Sequence, residues 1–258
     1  MDVHRVPSSA DTSAHDRAHR CSALRHGGEL PLQELARRCE QAGANLLDIN
    51  PGYLPARFED RMAFMVEAVQ QVSRLRLMLD SPNPQVLAKG LAVCDQPPVL
   101  NALTLEEAKL RETLPLAAAH DTDLVLLLLD ERSFSPPSLE AKVALAMQLR
   151  DAALAAGVKE ERLIFDPVLP NLTWPDAYAR VSEIIKLVRL LTDGVLFQTS
   201  HRTLLGLSNL RSGLRHTYPP KLDEACLYLL AGAGLTYILA DVLQPEIMES
   251  VRLINQMV

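Results

Sequence analysis

The sequence lacks the features that mark metal-binding, secreted and membrane-spanning proteins. Its four cysteines are widely spaced and form no CxxC pair, so neither a zinc site nor a disulfide framework is indicated. No apolar run approaches the roughly 18 residues that a membrane-spanning helix needs, and the N-terminus lacks the continuous apolar core of a signal peptide. We therefore expect a soluble protein of the reducing cytoplasm, without a membrane partner.

The sequence also lacks an excess of basic residues. It has 26 Lys and Arg against 32 Asp and Glu, which gives a formal net charge of −6. Nucleic-acid binding needs a basic face that neutralises phosphates, and this composition does not favour such a face. We therefore expect no nucleic-acid partner.

The first 30 residues differ in composition from the rest of the chain. Residues 1–28 are rich in His, Arg, Ser, Asp and Ala and end on two glycines, which is typical of a weakly ordered segment. His15 and His19 have the i, i+4 spacing of a helical metal pair, but two histidines in a polar tail are a weak signal and we expect no metal site. We predict a polar, partly disordered segment over residues 1–30 and one domain over residues 31–258.

Short apolar runs alternate with helical patterns throughout residues 31–258. The predicted strands span residues 46–48, 75–80, 98–101, 124–130, 162–166, 204–208 and 235–240, and the predicted helices span residues 32–42, 57–72, 84–93, 105–119, 138–156, 175–191, 222–231 and 245–257. Helical crossovers between all strands imply a parallel sheet. We predict the α/β fold class, a (β/α)8 TIM barrel. Its first strand is irregular or missing, because no apolar strand precedes Pro31 and residues 21–24 are a weak candidate.

Six of the apolar runs end on an acid or an amide, and in a parallel barrel these side chains meet at one mouth. A solvated loop is the better interpretation of Asp130 and Glu131. The remaining five runs supply six polar residues, three acids and three amides with no Lys, Arg or His. They are Asp48, Asn50, Asp80, Asn101, Asp166 and Asn209. Such acceptors suit a flat, donor-rich heterocycle such as a pterin. Helix caps for Asp80, Asn101 and Asp166, and turns for Asn101 and Asn209, stay open as alternatives.

Five motifs, in this order, resemble those of the methyltetrahydrofolate:corrinoid methyltransferases. These are pterin-binding TIM barrels related to dihydropteroate synthase and to the folate domain of cobalamin-dependent methionine synthase. The motifs are Gly-Ala-Asn-Leu-Leu-Asp-Ile-Asn at 43–50, Leu-Asp-Ser-Pro-Asn-Pro at 79–84, Asn101, Phe-Asp-Pro at 165–167 and Gly-Leu-Ser-Asn at 206–209. The resemblance covers about residues 31–258, the whole of the predicted domain.

The resemblance implies a function in one-carbon metabolism. A pterin would lie across the barrel mouth, bound by Asp80, Asn101 and Asp166, with Asp48 and Asn50 as a supporting shell. Catalytic Asn209 would face N5, the atom that carries the methyl group of methyltetrahydrofolate. The methyl group would move to the cobalt(I) of a corrinoid (cobalamin), or in the reverse direction to tetrahydrofolate.

The resemblance also implies partners for the chain. No Asp-x-His-x-x-Gly cobalt-ligand motif is present, so the corrinoid is expected on a separate protein. A homodimer is expected because family members dimerise. Arg211, Arg215 and His216 follow Asn209 and are plausible contacts for the partner or for the folate tail.

Two departures keep other functions open. The N-terminus lacks the family's usual apolar strand with a Gly-Glu pair, and residues 240–244 lack an Asn or Asp followed by Pro. A non-catalytic barrel that binds a pterin or a corrinoid protein is therefore an alternative. Dihydropteroate synthase is less favoured, because its Ser-Arg-Lys element on strand seven is replaced here by Ser208-Asn209-Leu210.

Overall fold

Eight parallel strands form a closed barrel in the computed structural model of the chain, which describes residues 3–6, 29–52, 60–212, 219 and 221–257. The strands are β1 (Val3–Val6), β2 (Leu46–Ile49), β3 (Arg76–Asp80), β4 (Val99–Leu103), β5 (Asp123–Leu127), β6 (Leu163–Asp166), β7 (Arg202–Gly206) and β8 (Tyr237–Ala240). The α/β TIM barrel that the sequence pattern predicted is confirmed.

Eight α-helices occur in the described ranges, mostly between successive strands. They are α1 (Glu29–Ala42), α2 (Arg61–Gln70), α3 (Pro84–Leu91), α4 (Glu107–His120), α5 (Leu139–Ala155), α6 (Ala177–Thr192), α7 (Lys221–Ala231) and α8 (Pro245–Met257). Short 3-10 helices precede β6 at Glu160–Arg162 and follow β7 at Leu207–Arg211. None of the helices in this described part is long and apolar enough to cross a membrane.

The barrel is closed by β1, a strand that the sequence pattern did not identify. It pairs with β2, where His4 lies opposite Leu47, and with β8, where His4 lies opposite Ala240. With only four residues and a polar pair in the middle, Val-His-Arg-Val has no apolar periodicity. The weaker candidate at residues 21–24 lies outside the described residues. The polar N-terminal segment therefore supplies one strand, and its boundary at residue 30 stays a prediction.

Local sequence signals set the helix ends at several places. Asn83 caps α3 by accepting a hydrogen bond from the backbone N–H of Gln85 at 2.9 Å, and Pro84 occupies the first turn. Ser138 caps α5 in the same way through Ala141. Gly43, which follows α1, has a φ of +104°, a conformation that glycine adopts without a side-chain penalty.

The apolar core has an inner and an outer layer. The inner layer consists mainly of strand residues that alternate with outward-facing ones, and its buried members are Leu46, Met78, Val99, Ala102, Val125, Ile164, Leu204 and Leu239. The outer layer joins the other face of the strands to the helices, as Leu77 and Leu79 of β3 show. This alternation is expected for a barrel whose interior is filled by side chains.

A buried aspartate links several strands at the end of the barrel where they begin. Asp123 of β5 is only 1% exposed, and its Oδ1 and Oδ2 accept hydrogen bonds from the two Nη atoms of Arg202 at 2.9 Å. Arg76 Nη1 donates to Asp123 Oδ2 at 2.5 Å, and Arg162 Nη1 lies 3.5 Å from Oδ1. Burial raises the pKa of Asp123, but the hydrogen bonds from Arg202 and Arg76 outweigh it and hold this pKa below its ordinary value.

Replacing this buried carboxylate should destabilise the barrel strongly. We expect Asp123→Ala to lower the free energy of unfolding by about 3 kcal/mol, because the partly buried Arg202 and Arg76 lose the carboxylate that they bind. Urea denaturation measures the loss. The control is Asp95→Ala, whose carboxylate lies 3.8 Å from Arg74 with both side chains exposed, and which should cost less than about 1 kcal/mol. Equal losses in the two variants would contradict a special role for Asp123.

Candidate functional site

Strand alternation directs polar side chains into the mouth of the barrel. On β3, Met78 belongs to the inner layer and Asp80 follows two residues later, on the same face and at the strand end. Asn101 of β4 and Asp166 of β6 likewise follow an inner-layer residue by two positions. The carboxyl ends of the strands thus deliver two carboxylates and one amide to one place.

These side chains line a cavity of about 220 Å³ at the mouth. Four of the six residues that the sequence pattern selected contribute to it, namely Asp80, Asn101, Asp166 and Asn209. The remaining lining residues are Ser81, Pro82, Ala102, Lys109, Leu127, Gly206 and Leu239. Asp48 and Asn50 are not among them, and the supporting position expected for both stays a prediction.

Asp80 is held by Asn50 and is not a helix cap. Asn50 Nδ2 donates to Asp80 Oδ2 at 2.6 Å, while Asn50 Oδ1 accepts a hydrogen bond from Gly52 N at 2.8 Å. The N-cap of α3 is Asn83, so the capping alternative for Asp80 is wrong. Asn50 thereby fixes one carboxylate oxygen of Asp80.

Asp166 is buried, and its carboxyl group holds a proton more tightly than an ordinary aspartate. Burial raises its pKa from 3.8 to about 7, against the lowering effects of the Val168 N–H and the Lys142 charge, and Asp80 raises it further. Val168 N donates to Asp166 Oδ1 at 2.8 Å. The residue that precedes α6 is Asp176, so Asp166 is not a helix cap either. Its carboxylate is suited to accept hydrogen bonds from a ligand.

The two amides offer both donors and acceptors to the cavity. Asn101 is buried on β4, and its main-chain oxygen accepts a hydrogen bond from Ser81 N at 3.0 Å. Asn209 is half-buried in the 3-10 helix after β7, and a Cβ at Gly206 would come within 3.4 Å of its Nδ2. Within the described ranges, neither amide side chain has a hydrogen-bond partner. Both amide groups are therefore available to a bound molecule.

Asp48 lies deeper than the other predicted residues. It is fully buried in β2, where it is paired in register with Arg5 of β1. A supporting role for Asp48 stays a prediction, since no part of it lines the cavity.

Lys109 also lines the cavity and adds a cation to the acids and amides of the strand ends. Its Nζ donates to Glu106 Oε1 at 3.0 Å, and its side chain is largely buried. Lys109 belongs to α4 and not to a strand end, so the strand-end pattern could not identify it. The only sequence signal is the i, i+3 spacing of Glu106 and Lys109.

Other predicted positions lie away from the cavity or outside the described residues. Arg211 Nε donates to Asp223 Oδ1 at 2.9 Å, which ties it to α7, while Arg215, His216, His15 and His19 are not described.

The strand predicted to end at Asp130 ends at Leu127. Asp130 instead organises its own loop, as Oδ1 accepts from the backbone N–H groups of Arg132 and Phe134 at 2.9 Å. The described part contains no cluster of three metal-ligating side chains.

Comparisons relate the sequence to curated proteins. A family model described as "Pterin binding enzyme" matches residues 31–240. The methylcorrinoid:tetrahydrofolate methyltransferase of Eubacterium limosum is 26% identical over 153 residues, 58% of this chain and 56% of that protein. The methionine synthase of Mycobacterium leprae is 28% identical over 210 residues, 78% of this chain and 17% of that protein. The chain thus spans about half the length of the first relative and about a sixth of the second.

Solved structures share the same fold. A dihydropteroate synthase from Coxiella burnetii in complex with pteroic acid superposes with a TM-score of 0.70 at 20% identity, over 99% of this chain and 92% of that one. The dihydropteroate synthase of Yersinia pestis in a sulfonamide drug complex gives a TM-score of 0.68 at 21% identity, over 99% and 93% of the two chains. At such identities the likeness establishes the barrel alone.

The buried carboxyl group of Asp166 should cost stability as the pH rises. Its pKa is higher in the folded protein than the ordinary 3.8, so folding is penalised progressively between about pH 4 and pH 7 and fully above. Asp166→Asn stays neutral and can still accept the Val168 hydrogen bond. We expect this variant, without ligand, to melt at a higher temperature than the native chain at pH 8, with a smaller difference at pH 5.

Thermal unfolding at both pH values measures this effect. Glu131→Gln, an exposed change at the same end of the barrel, should show no comparable difference between the two pH values. A melting temperature of Asp166→Asn that lies below that of the native chain at pH 8 would contradict the prediction.

Proposed function

The chain belongs to the pterin-binding enzyme family, and we propose that it moves the N5-methyl group of methyltetrahydrofolate to the cobalt(I) of a corrinoid on a separate protein, or catalyses the reverse transfer. The observation that carries the proposal is the convergence of Asp80, Asn101, Asp166 and Asn209 on one cavity at the barrel mouth. The named activities of two curated relatives support the same chemistry.

The donor and acceptor groups of the cavity match the edge of a pterin ring. A pterin presents an amino group and ring N–H groups in one plane, and the carboxylates of Asp80 and Asp166 accept such donors. Asn101 can donate to the ring carbonyl and accept from an N–H. The cavity of about 220 Å³ is small beside the roughly 300–1,000 Å³ of typical ligand pockets. It therefore suits a flat bicyclic head group whose tail extends outside the mouth.

Methyl transfer from N5 requires that this nitrogen gain positive character. A tertiary amine is a poor leaving group, so N5 must take up a proton from solvent before the bond to the methyl carbon breaks. The electron pair of cobalt(I) forms the new bond to carbon, and the pair of the broken bond stays on N5, which leaves as the N–H of tetrahydrofolate. Asn209 can accept a hydrogen bond from this N–H, and a contact that strengthens with the developing charge lowers the barrier.

Two alternatives remain as competing proposals. A non-catalytic barrel would bind the pterin or the corrinoid protein without accelerating transfer. A dihydropteroate synthase is favoured only by the solved structures that share the fold, and the Ser-Asn-Leu sequence after β7 weighs against it. The homodimer, the cytoplasmic location and the corrinoid protein as a partner stay predictions.

The central experiment mixes the purified protein with methyltetrahydrofolate and chemically reduced cobalamin. We expect the cobalt(I) absorbance to disappear much faster than in the absence of protein. Tight folate binding without any acceleration would favour the non-catalytic barrel. In a separate assay, formation of dihydropteroate from its precursors would instead favour the synthase.

Asn209 should affect the rate of transfer more than the binding of folate. We expect Asn209→Ala to slow the transfer step by about 10²-fold, as for the loss of one transition-state hydrogen bond, with a smaller change in folate affinity. Single-turnover kinetics and folate titrations separate the two quantities. Asn255→Ala, an exposed change on the remote helix α8, is the matched control. Equal losses in rate and affinity would mean that Asn209 only binds the substrate.

A further inference from the structure

A buried lysine outside the cavity lining connects two loops of the barrel mouth. Lys142 of α5 is 1% exposed. Its Nζ donates to Ser135 Oγ at 2.5 Å, in the loop between β5 and α5. It also donates to the main-chain oxygen of Pro167 at 2.8 Å, directly after β6. Burial of an ammonium group costs free energy even when hydrogen bonds compensate part of the loss. We therefore ask what the two contacts of Lys142 do for the neighbouring loops.

One peptide unit joins Lys142 to the candidate site. The carbonyl group of Pro167 and the N–H of Val168 belong to the same planar amide. Lys142 binds the carbonyl end, while the N–H end donates to Asp166 Oδ1 at 2.8 Å. A cation on the oxygen side polarises the amide and strengthens its N–H as a donor. The ammonium group thus acts on Asp166 through this amide as well as through space.

The backbone at Val168 is strained in the conformation that this arrangement requires. Val168 has a φ of +64°, in the left-handed region that β-branched residues rarely adopt. Such strain persists only where surrounding contacts hold it. The hydrogen bond from Lys142 to the preceding carbonyl is one such contact, so Lys142 contributes to the direction of the Val168 N–H.

Several charged groups face this pair. Burial lowers the pKa of Lys142 to about 8, the charge of Asp166 raises it and the charge of Arg180 lowers it further. Arg180 of α6 donates from Nη1 to Ser135 O at 3.0 Å. On the cavity side, Asp80 of β3 disfavours the ionised form of Asp166. Lys109 of α4 lines the same cavity, where Glu106 accepts its hydrogen bond.

We infer that Lys142 is a positioning residue for ligand recognition, which favours the ionised form of Asp166 and directs its carboxylate into the cavity through the Pro167–Val168 peptide unit. This role rests on the proposed use of Asp166 as a pterin ligand, but it does not depend on methyl transfer. Lys142 touches neither the substrate nor the reacting atoms in this role.

The test compares Lys142→Met, which keeps the apolar stem, with Lys142→Gln, which keeps a hydrogen-bond donor but lacks the charge. The carbonyl stretch of protonated Asp166 is followed by infrared spectroscopy against pH in the ligand-free protein, and the band is assigned by its loss in Asp166→Asn. We expect the midpoint of both variants to lie about 1–2 pH units above that of the native chain, because an opposing charge is removed. Lys142→Arg should restore the native midpoint.

Binding of methyltetrahydrofolate gives the second measurement. At pH 7 we expect the affinity of Lys142→Gln to fall by about 10-fold or more and to recover as the pH rises through the shifted midpoint of Asp166. An unchanged midpoint, with affinity lowered equally at every pH, would overturn the inference and leave Lys142 a structural residue. If the native protein binds no methyltetrahydrofolate, the proposed function fails and the pterin role of Asp166 fails with it, whereas the ligand-free titration still decides whether Lys142 acts on Asp166.

Discussion

The alternation of side chains along the barrel strands is the constraint on which the candidate site depends. Residues two apart on a strand face the same side, so the inward position of Met78 determines the direction of Asp80. Because the parallel strands form a closed ring, the polar residues at their carboxyl ends meet at one mouth. A shift of β3 or β6 by one residue would turn these carboxylates toward the helices. The apolar filling of the barrel and the polar mouth are thus two results of the same register.

Two buried aspartates at opposite ends of the barrel have pKa values shifted in opposite directions by their surroundings. Asp123 is paired with arginines where the strands begin, and its pKa is below the ordinary value. Asp166 lies at the mouth beside another carboxylate, and burial raises its pKa to about 7. The first stabilises the fold through satisfied charges. Ionisation of the second costs stability, and groups with such raised pKa values are concentrated at functional sites.

The polar residues at the strand ends could be predicted from the sequence. The lysines that the helices bring to the mouth and the first strand could not. Asp80, Asn101 and Asp166 each end a short apolar run, so the parallel fold implied their convergence. Lys109 and Lys142 lie on helices, and which helical side chains approach the mouth depends on how each helix packs against the strands. The first strand escaped notice because Val-His-Arg-Val is too short and too polar for a periodic signal.

By itself, the sequence determined the alternation of strands and helices, the fold class and the set of acids and amides at the strand ends, because these follow from local periodicity and residue order. Only the tertiary structure decided that Asn50 orients Asp80, that β1 closes the ring and that Lys142 reaches Asp166 through one peptide unit. Those contacts join residues distant along the chain. Their geometry is set by packing and by strand register, which no local pattern encodes.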